Sequence, residues 1–274
     1  MERQKKIAVI NDISGFGRCS ITVALPIISH MKVQCCPLPT SIFSNHTGYK
    51  NFFFDDYTDK MPEYIKNWKK LGLDFDGIVS GFLGSTRQIQ IVEAFIQEFC
   101  HEYTKVIIDP VMGEDGNPYT TYTKDMCEEM KKLVRYADII TPNVTESCML
   151  TDTSYKDRGW KQRELYEMAE KLIGMGAKKV AISGIKMGDF IGNVVAQSGV
   201  DSKIIKVKRV GSERAGTGDI YSSILAADCV NGVDFETSVK KAAHFIKDCI
   251  MVTENYHTPK EDGVCFEEIL ARLK

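Results

Sequence analysis

The chain has 274 residues, and its 35 Lys and Arg against 37 Asp and Glu leave a formal charge of −2, so it offers no basic footprint for nucleic acid or an anionic membrane. No apolar run approaches the roughly 20 residues of a membrane span, and the polar residues 1–6 lead directly into a strand-like run, so the expectation is a cytoplasmic chain without a targeting segment. Nine cysteines, an odd number with no C-x-x-C pair, speak against a zinc site or disulfide framework and suit buried, reduced thiols.

In chain order, the first β-rich run is Ile7-Ala8-Val9-Ile10, which ends on Asn11-Asp12. Gly15-Phe16-Gly17 opens like a dinucleotide fingerprint, but Ser20 stands where the third glycine belongs, which disfavours a Rossmann dehydrogenase. Asp55-Asp56 and Asp59 lack the alternation and glycine of an EF-hand and read as an exposed acidic loop. The run Gly77-Ile78-Val79-Ser80 ends on Gly81-Phe82, and residues 87–100 then place Ile89, Val92, Phe95, Ile96 and Phe99 at helical intervals. His101-Glu102 begins like a zincin motif, yet Lys105 occupies the second histidine's place.

The next run, Val106-Ile107-Ile108-Asp109, leads into Pro110-Val111-Met112-Gly113-Glu114, and residues 114–123 have the composition of a mobile flap. A helical pattern over 124–135 precedes Asp138-Ile139-Ile140-Thr141, followed by Pro142-Asn143 and Glu146. A second pattern over 160–175 precedes Val180-Ala181-Ile182-Ser183-Gly184. Residues 190–207 hold two strand-like runs with no helix between them, which predicts an antiparallel hairpin at a sheet edge, and the chain beyond Asp219 reads as nearly all helical.

This alternation predicts an α/β fold with a mostly parallel sheet covered on both faces, and chain length favours one large domain over two. Ligands of such sheets bind beyond the carboxyl ends of the strands. Polar residues gather at those ends in Asn11-Asp12, Gly81-Phe82, Asp109-Pro110, Thr141-Pro142-Asn143 and Ser183-Gly184. Asp109 and Glu146 suit Mg²⁺, which binds through one or two carboxylates plus phosphate, or else form a turn and a helix-start acid.

Arg214-Ala215-Gly216-Thr217-Gly218-Asp219 precedes an apolar helical pattern. Unpaired amides at such a start attract an anion, and glycines let the backbone come close. Asp219 is then placed to accept a hydroxyl proton; the alternative is a Thr217 cap with Asp219 as a first-turn acid, worth about 1 kcal/mol. A P-loop is excluded because Thr217 stands where that motif requires lysine.

Together, Ser44-Asn45-His46-Thr47-Gly48-Tyr49, Asp109-Pro110-Val111-Met112-Gly113, Thr141-Pro142-Asn143 with Glu146, and Gly216-Thr217-Gly218-Asp219 resemble the ribokinase-like superfamily, specifically its pyridoxal kinase branch, across about residues 7–230. The resemblance implies a single kinase domain over 1–274, folded as a three-layer α/β/α sandwich whose mostly parallel sheet has an antiparallel edge. It implies transfer of the ATP γ-phosphoryl group to the 5′-hydroxymethyl of pyridoxal, pyridoxine or pyridoxamine. Asp219 would be the base, with Gly216, Thr217 and Gly218 as the anion hole. Asn11, Thr47 and Phe82 would line the vitamer pocket. Asn143 and Ser183, with Thr217 and Gly218, would approach the ATP phosphates. Asp109 and Glu146 would organise Mg²⁺, with Thr141 beside a monovalent cation such as K⁺. His46 and Tyr49 would either join the pocket or hold its loop in shape. The family expectation for assembly is a homodimer.

Glu114 stands where this branch commonly has Asp, and Ile182-Ser183-Gly184 replaces a more hydroxyl-rich Thr-Ser-Ser. The segment Asn11 to Gly17 looks closer to the related hydroxymethylpyrimidine kinases. Two alternatives therefore stand beside a B6 kinase: hydroxymethylpyrimidine phosphorylation, and a catalytically silent ligand-binding protein on the same fold.

Overall fold

The structure is a computed structural model that describes residues 3–273. Its strands are β1 (Lys6–Ser14), β2 (Gln34–Phe43), β3 (Phe54–Asp56), β4 (Gly77–Ser80), β5 (Lys105–Ile108), β6 (Gly113–Glu114), β7 (Asn117–Pro118), β8 (Ile139–Ile140), β9 (Lys179–Met187), β10 (Phe190–Gln197) and β11 (Val200–Lys208). The helices are α1 (Ser20–His30), α2 (Met61–Lys70), α3 (Thr86–Phe99), α4 (Lys124–Val134), α5 (Val144–Thr151), α6 (Gln162–Gly174), α7 (Thr217–Asn231) and α8 (Phe235–Tyr256).

Among the described residues, one nine-stranded sheet runs β11-β10-β9-β8-β5-β4-β1-β2-β3. Its centre is parallel, whereas β10, β11 and β3 pair antiparallel at the two edges. Side chains alternate across a strand, so Ala8 and Ile10 pack with α2 to α6 while Ile7 and Val9 pack with α1, α7 and α8. Val106 and Ile108 against Ile107, and Val180 and Ile182 against Ala181, divide the same way. Three layers result, as expected. Helix α7 is buried on nearly all sides because it lies between the sheet, α1 and α8.

One expectation needs correction. The acidic loop at 55–59 is in part the edge strand β3, where Ser41 to Phe43 pair with Asp56 to Phe54. Asp56 Oδ1 accepts from Thr58 N at 2.8 Å and from the buried Gln88 Nε2 at 3.3 Å, so this carboxylate is structural. Its partner β2 is hard to recognise because it contains Pro37 and Pro39. Both prolines face β1 in a parallel register, Val9 to Pro37 and Asn11 to Pro39, and β3 pairs only beyond them, so their missing N–H groups fall on an open edge.

The first part of the segment expected to be a mobile flap, residues 114–118, belongs to the β6–β7 hairpin. Its turn residues Asp115 and Gly116 hold φ of 49° and 81°, the pairing that a two-residue hairpin loop requires. Gly116 N donates to Thr145 Oγ1 at 2.9 Å, which fastens the tip to α5.

Candidate active site

The carboxyl ends of β1 and β4 meet the N-terminus of α7 through one side chain. Asn11 Oδ1 accepts from Phe82 N at 2.8 Å and from Asp12 N at 2.9 Å, while its Nδ2 donates to Asp219 Oδ1 at 3.2 Å. Asn11 therefore orients the carboxylate that sequence pattern singles out, with one Nδ2 hydrogen left over. Gly216 is the N-cap of α7, with φ of 78°, and a Cβ there would lie 1.9 Å from the Arg18 carbonyl oxygen. The close approach of the loop before α1 demands glycine at that position. Gly218 is different: a Cβ would meet nothing within 4 Å, so the protein leaves open space over the first amides of the helix, where an anion is favoured.

Burial pushes the Asp219 carboxyl up to about 6; the Ser20 amide and the Asn11 side chain oppose this, and the neighbouring Asp12 adds to it. Asp109 is held well above the usual carboxylate range by burial, then by Glu146 and Asp219. Glu146 is pushed up to about 7, chiefly by burial, although amides of Asn143 and Met112 favour its charge. Val111 holds φ of 43°, a strained conformation for a β-branched residue, and the Met112 N–H that follows donates to Glu146 Oε1 at 3.0 Å. Nearby, Thr141 Oγ1 is buried without a hydrogen-bond partner.

Two buried carboxylates, Asp109 and Glu146, with the unpartnered Thr141 hydroxyl make a donor set that fits a hard cation. Among the described residues no three acidic, histidine or cysteine side chains form a ready-made cage, which suits an ion that keeps several waters and shares phosphate oxygens.

The same shifts set a stability trend. Because Glu146 and Asp219 hold protons in the folded state that the unfolded chain releases near pH 4, their contribution is present below that value. It is lost as pH rises through about 6 to 7. Thermal melts of the protein without cation are expected to show Tm falling by several degrees between about pH 5 and 7.5, with Mg²⁺ restoring part of the loss at the higher pH. Glu146→Gln should flatten that slope and weaken the Mg²⁺ effect; identical melts for variant and wild type would contradict the trend's origin.

Other expected site residues are placed as follows. Phe82 is half-buried, its ring 6.0 Å from Phe43 in an edge-on contact. Thr47 lies exposed in the loop after β2. That loop is held by its neighbours: His46 Nδ1 accepts from Gly48 N at 3.1 Å, leaving Nε2 to donate to the Glu261 carbonyl at 2.7 Å, and Tyr49 Oη donates to Asp262 Oδ1 at 2.7 Å. Asn143 caps α5 in a reciprocal box with Glu146 and donates Nδ2 to the Gly113 carbonyl at 2.8 Å. It also forms a parallel bridge with Ser183.

Sequence reasoning missed Lys186. Lys186 Nζ lies 3.3 Å from Asp115, 3.1 Å from Asp157 and 3.3 Å from Glu213, joining the hairpin to the loops before α6 and α7. A lone lysine near a strand end carries no signal of that.

A family model described as phosphomethylpyrimidine kinase matches residues 28–263. A protein from Bacteroides thetaiotaomicron assigned to the phosphomethylpyrimidine kinases, crystallised with pyridoxal, is 37% identical with a TM-score of 0.95 over 99% of this chain and 96% of that one. Pyridoxal kinase from Lactobacillus plantarum superposes with a TM-score of 0.89 at 24% identity, covering 99% and 97% of the two chains. The pyridoxine/pyridoxal/pyridoxamine kinase of Bordetella avium is 25% identical over 247 residues, 87% of this chain and 82% of its own.

Proposed function

The chain belongs to the phosphomethylpyrimidine kinase family, and from that premise we propose that it is a pyridoxal kinase of the ribokinase-like fold, transferring the ATP γ-phosphoryl group to the 5′-hydroxymethyl of pyridoxal, pyridoxine or pyridoxamine. The observation that carries this is a partly buried carboxylate, Asp219, raised to about 6 at the open N-terminus of α7. A base of that kind can take a hydroxyl proton near neutral pH. Similarity to a protein crystallised with pyridoxal supports the substrate class.

In this proposal the vitamer's hydroxymethyl faces Asp219, which Asn11 orients, and Phe82 supplies an aromatic wall with Thr47 at the rim. The amides of Gly216, Thr217 and Gly218 receive charge that develops on the transferring group; such preorganised donors are the main catalytic resource for phosphoryl transfer. Ser183 and Asn143 lie toward the ATP phosphates. Asp109 and Glu146 would hold Mg²⁺, with K⁺ beside Thr141. Bound there, Mg²⁺ supplies charge neutralisation for the phosphates. His46 and Tyr49 shape the loop by the bonds described above.

We also assign residues 1–274 to one kinase domain in the cytoplasm, where the nine free thiols fit a reducing compartment. No helix among the described residues is long and apolar enough to cross a membrane. Assembly as a homodimer is supported by exposed Phe52, Phe53 and Phe54 beside the β3 edge, 44%, 65% and 45% accessible. Sedimentation should show a dimer that Phe53→Asp dissociates, and a wild-type monomer at micromolar concentration would refute it.

The sister reaction on hydroxymethylpyrimidine keeps the same base and a different ring, and the family description favours it as the second possibility. Specificity constants measured side by side with Mg-ATP should favour at least one B6 vitamer by about tenfold or more. Turnover confined to the pyrimidine would reassign the substrate, and no turnover on any of them would leave a binding protein.

A further inference from the structure

Beyond α8 the chain turns through Thr258 to Gly263 and touches both sides of the proposed site. On the phosphoryl side it meets Arg214, whose side chain is only 5% exposed. The guanidinium donates from Nη1 to the Thr258 carbonyl at 2.9 Å and the Pro259 carbonyl at 3.2 Å, and from Nη2 to Glu254 Oε1 at 3.1 Å. A planar fork serves two carbonyls and a carboxylate at once, which an ammonium on a flexible stem does less well. Thr217 Oγ1 donates to the Arg214 carbonyl at 3.3 Å, so the anchored residue is tied to the first turn of α7. On the vitamer side, Tyr49 Oη donates to Asp262 Oδ1 and His46 Nε2 to the Glu261 carbonyl, both at 2.7 Å. Between the two, Arg18 N donates to the Asp262 carbonyl at 3.1 Å. The Arg18 carbonyl oxygen that crowds Gly216 also lies 2.9 Å from where a Cβ of Gly263 would stand, and the Ala215 carbonyl oxygen lies 3.2 Å from it. With φ of 80° and backbone on two sides, Gly263 admits no other residue without movement. One short segment therefore meets three loops: the one after β2, the one before α1 and the one before α7.

We infer that Thr258 to Gly263 is a clasp that sets the vitamer loop against the anion hole, with Arg214 and Asp262 as its positioning residues. The proposed transfer gives neither residue a part at the reacting groups. Arg214 fixes the clasp to the start of α7 and Asp262 fixes it to Tyr49, so freeing either end lets the two halves of the site drift apart. A misplacement of about 1 Å that arises far from the chemistry costs up to about 10²-fold in rate. The inference rests on the proposed reading, in which the loop at 45–49 and the amides of Gly216 to Gly218 serve one substrate. Separate bonds hold the segment in the fold, from Thr258 Oγ1 to the Thr253 carbonyl at 3.5 Å and from Cys265 N to Thr253 Oγ1 at 2.8 Å. Loss of a clasp bond therefore changes alignment more than stability.

The test uses the full-length protein with Mg-ATP and pyridoxal, with thermal melts to confirm folding. Asp262→Ala and Tyr49→Phe each delete the bond between these side chains and should lower kcat/KM for pyridoxal by about tenfold, through kcat as well as KM, with KM for ATP within about twofold. Asp262→Asn keeps an oxygen acceptor for Tyr49 Oη and should stay within about threefold of wild type. Arg214→Met frees the other end, on the phosphoryl side, and should raise KM for pyridoxal by about threefold or more while lowering kcat. Because both ends serve one coupling, adding Tyr49→Phe to Arg214→Met should cost less than about twofold more. Hydrogen exchange needs no substrate, and Arg214→Met should speed it about tenfold at the amides of residues 44–50. Effects of the two substitutions that multiply would overturn the inference, as would unchanged exchange at 44–50. If Arg214→Met does not fold, the Asp262 pair decides: equal rates for alanine and asparagine overturn the inference. A wild-type protein that phosphorylates no vitamer removes the proposed function and the inference with it, whereas wild-type turnover beside a fully active Asp262→Ala removes the inference alone.

Discussion

Asp219→Asn is expected to lower kcat by roughly 10²–10⁴ while KM for the vitamer and for ATP changes little. The asparagine is nearly isosteric and can keep its place beside Asn11 Nδ2, which lies 3.2 Å from Asp219 Oδ1. What it cannot do is accept the hydroxyl proton as the oxygen attacks. Removing an interaction made only in the transition state lowers kcat and kcat/KM together, and that signature separates a base from a binding residue. The pH profile carries the same information. Burial raises the Asp219 carboxyl to about 6, so the proton-free form needed for attack is lost as pH falls through that value, and the acid limb of kcat/KM should bend near pH 6. A bend near pH 4 would mean that the base is exposed in the working enzyme, and turnover undiminished in the variant would remove Asp219 from the chemistry.

The glycines on either side of Thr217 are expected to respond in opposite ways to the same substitution. Gly216→Ala places a methyl 1.9 Å from the Arg18 carbonyl oxygen at a φ of 78°. Either the loop before α1 or the start of α7 must move, at a cost of about 2–4 kcal/mol, and any such movement displaces Asp219. Thermal stability and kcat should fall together, kcat by about 10²-fold or more. Gly218→Ala meets no protein atom within 4 Å and is already helical. Alanine is the better helix former by about 1 kcal/mol, so its Tm should hold or rise. The methyl would stand over the amides that are to receive the phosphoryl group, and kcat should fall by about 10²–10³. Stability kept with activity lost at Gly218 would place the anion there. Full activity in Gly218→Ala would show that the phosphoryl group lies elsewhere, and a stable, active Gly216→Ala would mean that the Arg18 loop yields freely.

The parallel centre of the sheet is legible because β1, β4, β5, β8 and β9 carry short apolar runs with a helix between one and the next. The antiparallel hairpin of β10 and β11 is legible for the opposite reason, since no helix separates the two runs. β2 is concealed by Pro37 and Pro39, whose lost donors matter only if both edges are paired. The tethering of the β6–β7 hairpin is equally hidden, because Gly116 N finds Thr145 Oγ1 across 29 residues of sequence.

Of the candidate site, Asp219 and its glycines stand out as a local pattern, and Asp109 and Glu146 as acids after strands. Asn11 was expected at the vitamer ring; its bonds to Phe82 N, Asp12 N and Asp219 add a role in holding the carboxylate. Such a role depends on contacts across 71 and 208 residues of sequence, which no spacing rule can supply. Ser20 was noticed only as a missing glycine, yet its φ of 55° is the value a glycine would take with ease.

The most direct measurement is transfer of phosphate from Mg-ATP to pyridoxal, followed by mass and by the position of the new ester, for wild type and Asp219→Asn together. The predicted result is a monophosphate on the 5′-oxygen with wild type and a rate reduced by at least about 10² with the variant. A phosphate on another oxygen, or equal rates from the two proteins, would contradict a B6 kinase built around Asp219.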